Sequence, residues 1–146
     1  MEESLNMFKR LTEGFSCGET DIRSYSPLTL AYIGDGIYDL IIRSAVVGHG
    51  NLPASKLHKK VTEYVNAAAQ AAMIEAILEN LSEEEEAIYK RGRNAKSFTK
   101  AKNASTGDYR KATGFEALMG YLYLQGRTER AIELTRLALK KLNMEL

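Results

Sequence analysis

One cysteine, two histidines, two prolines and no tryptophan stand among 146 residues. The single Cys17 excludes an internal disulfide framework and a cysteine-built zinc site. His49 and His58 have no acidic or cysteine neighbours at ligand spacing, so both read as surface residues and a histidine-rich metal site is excluded. No run of eighteen apolar residues occurs, which excludes a membrane-spanning helix. Met1 to Lys9 holds two glutamates and no apolar core region, unlike a secretory signal, and a cytoplasmic protein is the expectation. No segment alternates with period two and no hairpin signal appears, so the fold class expected is all-α. No serine, cysteine or histidine is set in a nucleophile constellation.

What is present suits a globular chain. A hydrophobic content of 45% with 27% charged residues allows one sizeable core, and 1–146 reads as one domain. Within it, 1–24 carries only a weak pattern, a short helix around Leu5 to Leu11, and no assignable role. Ser26-Pro27 is an N-cap followed by proline at the first helical position, opening a helix to about Val47. Its centre, Leu30-Ala31-Tyr32-Ile33-Gly34-Asp35-Gly36-Ile37-Tyr38-Asp39-Leu40, is apolar except for two aspartates. Each interior glycine costs roughly 1 kcal/mol against alanine, so something must approach that backbone closely. Asp35 and Asp39 share a face, and an acid on an otherwise buried helix needs a partner cation. Arg43 stands four residues beyond Asp39 and supplies a helix-surface pair for that one.

Helical periodicity continues from about Ala54 to Glu79, with a bend near Asn66 and an alanine run, Ala67-Ala68-Ala69, suited to close helix packing. Ser82-Glu83-Glu84-Glu85-Glu86 is a helix start with a capping box, and helix initiation accounts for all four acids without a metal. That helix is expected to end near Gly92. An exposed basic loop follows, from Arg91-Gly92-Arg93-Asn94-Ala95-Lys96-Ser97 to Asn103. Between Ala87 and Lys111, eight basic side chains stand against Asp108 alone, a net +7 that leaves −6 on the remainder of a chain whose total is +1. A concentrated basic stretch on a mildly acidic body points to a polyanion. Arg91, Arg93, Asn94, Lys96, Lys100 and Lys102 are the candidate phosphate contacts, since forked and amide donors suit phosphate oxygens.

From Lys111 to Leu124 runs a strongly apolar helix ended by Gly126, with Glu116 as its only acid and Thr113 and Gly120 on the same face. A last helix spans about Thr128 to Leu142. Asp35 and Glu116 are thus expected as two nearly buried carboxylates on two apolar helices beside a basic loop. Oxygen-only ligands suit Mg²⁺, which binds one or two carboxylates plus substrate phosphate, and such an ion can activate water at a phosphodiester. The residues by themselves suggest a nucleic-acid hydrolase.

Tyr32-Ile33-Gly34-Asp35-Gly36-Ile37-Tyr38 resembles the signature helix of ribonuclease III domains. Gly114-Phe115-Glu116-Ala117-Leu118 with Gly120-Tyr121-Leu122-Tyr123 resembles their second acidic motif. Together with Arg91-Gly92-Arg93-Asn94-Ala95-Lys96, the chain is most similar to the Mini-ribonuclease III family from about Ser24 onward. That resemblance implies an all-helical, cytoplasmic homodimer that cuts both strands of duplex RNA with Mg²⁺, leaves 5′-phosphate ends, and matures the ends of large-subunit (23S) ribosomal RNA. Pre-ribosomes or a ribosomal protein are implied partners, and no membrane is. Asp35 and Glu116 match the essential acids, as catalytic residues and metal ligands. Ala31, Gly34 and Gly36 are expected at the dimer interface. Two departures stand out: Ala31 replaces a glutamate of the full-length enzymes, and Thr113 an aspartate. A chain ending at Leu146 is expected to leave no room for an appended RNA-binding domain. The alternatives are a catalytically inactive ribonuclease III-like dimer that binds RNA in ribosome assembly, and an all-α protein whose basic loop meets an acidic partner.

Overall fold

A computed structural model describes residues 6–96 and 105–146, and among these every regular element is helical. In chain order they are α1 (Met7–Gly14), α2 (Pro27–Gly48), α3 (Ala54–Thr62), α4 (Ala67–Ile77), α5 (Glu83–Asn94), α6 (Thr106–Leu124) and α7 (Thr128–Lys141), with 3₁₀ turns at Ile22–Ser24 and Leu78–Asn80. Their starts follow local chemistry. Ser26 accepts from the Thr29 amide at 3.2 Å with Pro27 behind it. Asn66 accepts from the Ala69 amide at 2.8 Å, and this cap divides the long periodic stretch into α3 and α4. Ser82 and Glu85 close a reciprocal capping box at 3.1 and 2.8 Å. Past the end of α6, Gly126 takes a left-handed φ of 73°.

α6 is the central helix. From Ala112 to Tyr123 each residue except Glu116 is buried, as befits a helix apolar on all sides. It packs against α2, α5, α4 and α7. Tyr38, Ile42, Met73, Ile74, Phe115, Leu118, Met119, Leu122 and Leu134 form the core around it. The Tyr38 ring meets Phe115 edge-on at 5.2 Å, and its hydroxyl donates to the Tyr64 carbonyl at 2.7 Å. α5 is tied to α7 by a buried pair. Glu85, 1% exposed, receives the Arg130 guanidinium in a fork at 2.8 and 2.9 Å.

Two contacts at glycines set how close the helices come. A Cβ on Gly34 would overlap the Glu116 carbonyl, and one on Gly120 would overlap the Leu30 carbonyl, so α2 and α6 touch backbone to backbone. On the other flank a Cβ on Gly92 would stand 2.7 Å from the Ala117 Cβ, and one on Gly114 would stand 2.6 Å from the Tyr89 ring. Three expectations change accordingly. Gly92 lies inside α5, which runs on to Asn94, because the glycine serves packing on α6 and not helix termination. Arg91, Arg93 and Asn94 therefore belong to the last helical turn, not to a loop. Ala31 and Gly34 face inward: Gly34 meets α6, and Ala31 packs with Ile88, Ala117 and Tyr121. Neither is on a surface that a second copy could reach, and only Gly36 of the three is exposed.

Gly34→Ala should therefore cost about 2–4 kcal/mol of stability, the range of a severe overpacking in which backbone must move. Gly107→Ala, in the first turn of α6 with open space around it, should change stability by no more than about 1 kcal/mol, and in the favourable direction. Urea unfolding of the two variants checks this; equal effects would refute the close approach.

Candidate active site

α2 and α6 cross so that the residue after Gly34 and the residue whose carbonyl touches Gly34 are neighbours. Those residues are Asp35 and Glu116, and their carboxyl groups are within hydrogen-bond reach of each other. α4 completes the arrangement. Its buried stripe, Gln70, Ala71, Met73, Ile74 and Ile77, is apolar except for Gln70, whose side-chain amide donates to Glu116 Oε2 at 3.2 Å. Gln70 is 4% exposed. Asp35 is exposed and Glu116 is half-buried, which corrects the expectation of two nearly buried acids: Asp35 sits on the flank of α2, off the line of its buried positions.

Burial first, then the hydrogen bond and charge of Asp35, push the Glu116 carboxyl up to about 8; the Gln70 amide acts weakly in the opposite direction. Elsewhere on α2, Asp39 pairs with Arg43 at 2.9 Å, as the spacing suggests. Asp35, Asp39, Arg43, His58 and Thr62 line a surface cleft of about 320 Å³ between α2 and α3. Both histidines are exposed.

Arg91 and Arg93 sit in the last turn of α5, with Lys96 just past it, and α5 crosses α6 at Gly114, two residues before Glu116. Arg91, Asn94 and Lys96 are exposed. Arg93 is half-buried, with its guanidinium 5.6 Å above the Tyr89 ring and its Nε donating to Asn94 Oδ1 at 3.2 Å. Lys100 and Lys102 lie outside the described residues. Thr113 is buried and its hydroxyl is bonded to the Tyr109 carbonyl at 2.9 Å, so it takes no part in the acid pair. Gln70 is the site residue that sequence patterns pass over, whereas Arg43 and His58, an ion-pair partner and a surface residue from sequence, also line the cleft. A lone amide within Ala67-Ala68-Ala69-Gln70-Ala71-Ala72 is the signal available for the first.

The family model for the ribonuclease III domain matches residues 28–127, a span that holds both acids, Gln70 and the basic end of α5. A Mini-ribonuclease 3 from Enterococcus faecalis is 51% identical over 83% of this chain and 93% of its own length. One from a Thermoanaerobacter species is 46% identical over 96% of this chain and 97% of its own length. The chain belongs to the Mini-ribonuclease 3 family. It is accordingly an endoribonuclease of the ribonuclease III type, a type that acts on double-stranded RNA. A crystal structure of a Fusobacterium nucleatum protein has the same fold, with a TM-score of 0.74 and 34% identity over 84% of this chain and 98% of that one.

Glu116 gives the family site a pH signature. Its folded value is raised above the ordinary 4.5, so the folded chain holds a proton that the unfolded chain releases. The stability from this proton is complete below pH 4.5 and is lost as pH rises through about 8. Glu116→Gln, neutral at every pH, should match the parent protein near pH 5 and become the more stable of the two by several degrees above pH 8. Thermal melts in the presence of a chelator read this; parallel pH profiles would refute the raised value.

Proposed function

We propose that this chain is a Mg²⁺-dependent endoribonuclease that cuts both strands of an RNA duplex, with Asp35 and Glu116 as its catalytic and metal-binding acids. The stem of a 23S ribosomal RNA precursor is the proposed natural substrate, met in the cytoplasm on or near a pre-ribosome. The observation that carries the reading is the convergence of Asp35 and Glu116 from two helices, with an arginine-bearing helix end packed on the other flank of the helix that carries Glu116.

The donor set fits a hard divalent ion. Both side chains offer carboxylate oxygens, and burial, followed by the hydrogen bond and charge of Asp35, holds the Glu116 proton in place. A divalent ion at such a pair supplies water activation near neutral pH and charge stabilisation on the leaving oxygen of a phosphodiester. The remaining work falls to the chain. Glu116 would hold such an ion as its carboxylate, which requires release of the proton it carries. The crossing at Gly34 holds the two carboxylates in register. Arg91, Arg93, Asn94 and Lys96, with Lys100 and Lys102 in the same proposal, hold phosphates and so bring the backbone to the acids. Duplex RNA is bound by shape and phosphate because its base edges are recessed, which suits donors of this kind. The presence of both acids disfavours an inactive binding dimer.

Asp35→Asn should lower kcat at least about a thousandfold, the loss of several kcal/mol of transition-state stabilisation. Binding of duplex RNA should stay within a few-fold of the parent. Cleavage of a labelled duplex in saturating Mg²⁺ and gel-shift affinity measure the two; near-parental turnover would sink the assignment.

A homodimer belongs to the same proposal, with its interface moved from Ala31 and Gly34 to the outer face of α2. Leu28, Tyr32, Gly36 and Leu40 recur every four residues along that helix, and Tyr32 is 83% exposed. Leu40 continues into a groove of about 810 Å³ that Met7, Ile37, Ile41, Tyr123 and Ile132 also line. An exposed apolar stripe of this kind is what a helix from a second copy would cover. Open space at Gly36 allows that helix to come near. Sedimentation at micromolar concentration should give twice the 16.3 kDa chain mass, and Leu40→Lys should reduce it to one chain. A parent protein that sediments as a single chain would remove the dimer.

A further inference from the structure

Gln70 stands apart from the rest of α4. The stripe it belongs to is otherwise alanine, methionine and isoleucine, packed on α6. An amide 4% exposed among such residues is costly unless it is hydrogen-bonded, and leucine or methionine would fill the position without that cost. The amide reaches Glu116 Oε2 at 3.2 Å. Its helix is rigidly placed: Asn66 caps the N-terminus, and Met73, Ile74 and Ile77 are fully buried.

Building on the assignment of Asp35 and Glu116 above, we infer that Gln70 is a positioning residue for Glu116: its buried amide holds Oε2, fixes the side-chain rotamer, and so presents the carboxyl group to Asp35 and whatever cation the pair binds. The neutrality of the amide matters. An arginine or lysine here would orient the carboxylate equally well but would neutralise it and repel a cation. An amide orients without discharging. It also sits on a third helix, so the geometry of the pair depends on α4 as well as on the α2–α6 crossing. A carboxylate held by one oxygen has fewer rotamers to lose when it binds an ion.

Gln70→Leu tests this in the full chain. The parent, Gln70→Leu and Glu116→Gln are compared for kcat and KM on a labelled RNA duplex in saturating Mg²⁺. Binding of Mn²⁺ alone, without RNA, is followed by the EPR signal of the free ion. Gln70→Leu should lower kcat about tenfold or more, the scale of one hydrogen bond to a charged group, while KM moves less than about twofold. Its Mn²⁺ affinity should weaken about fivefold, and its Tm should stay within a few degrees of the parent. A merely structural role for Gln70 would shift Tm and leave the Mn²⁺ affinity of the folded protein where it was. Should Gln70→Leu fail to fold, Gln70→Met, equal in length and lacking the donor, decides the same question. Parental kcat and parental Mn²⁺ affinity in the donor-less variant would overturn the inference. Glu116→Gln separates that failure from failure of the underlying assignment: loss of cleavage in Glu116→Gln with parental behaviour in Gln70→Leu removes Gln70 alone, and full cleavage by Glu116→Gln removes both.

Discussion

Direct contact between the backbones of α2 and α6 is the constraint on which the site depends. Helices in globular proteins usually stand 8–10 Å apart because side chains separate them. Here Gly34 lies against the Glu116 carbonyl and Gly120 against the Leu30 carbonyl, so backbone meets backbone at these two points. The consequence is local and chemical. The side chain after Gly34 and the side chain of the residue it touches are brought together, which places Asp35 beside Glu116. A methyl group at position 34 would push the two helices apart and separate the two carboxylates. Helix propensity opposes glycine at each of these positions by roughly 1 kcal/mol, and the close packing of a helix buried on every side offsets it. Gly92 and Gly114 repeat the arrangement on the other flank, bringing the arginines at the end of α5 to the segment that carries Glu116.

Charge pairing sets the same residues apart. Glu85 is almost fully buried, yet Arg130 holds its carboxyl well below the usual range. Asp39 has Arg43, Glu75 has Lys111, Glu79 has Lys141 and Glu86 has Lys90, each within 2.9 Å. Glu116 faces another acid and a neutral amide, and its proton affinity moves upward. Glu85 shows that this fold readily supplies a buried carboxylate with a cationic partner. Among the described residues half-buried Glu116 has no such partner and stands next to a second acid, a cost to stability that makes physical sense if, on the function proposed here, a cation joins the pair.

Much of this was legible in the sequence because it rests on short-range rules. The caps at Ser26, Asn66 and Ser82 each need only a side chain three residues from an amide, and the apolar character of α6 is visible residue by residue. Asp35 and Glu116 stood out as acids among apolar and small neighbours. The end of α5 near Gly92 is legible, but the role of the glycine is not, because a packing glycine and a terminating glycine look alike until the partner helix is known. Ala31 and Gly34 were assigned outward for the same reason: a small residue announces close approach but not from which side. The exposure of Asp35 depends on which flank of α2 the neighbours cover. Gln70 escaped notice since its meaning lies in Glu116, which only the tertiary fold brings near.

The replacements at Ala31 and Thr113 follow from the same geometry. Ala31 is 7% exposed in an apolar cluster with Ile88, Ala117 and Tyr121, and the Thr113 hydroxyl is committed to its own helix. A carboxylate at either place would be desolvated without a partner. The pair is thereby limited to one acid from each helix, and near neutral pH the Glu116 proton reduces its charge further. On the function proposed here, cation binding must expel that proton, so occupancy rises with pH. With so few protein oxygens, a bound ion would leave room for water and for the RNA phosphate itself. Substrate and cation would then each complete the binding site of the other, and the arginines at the end of α5, by delivering the phosphate, would contribute to holding the ion as well as the RNA.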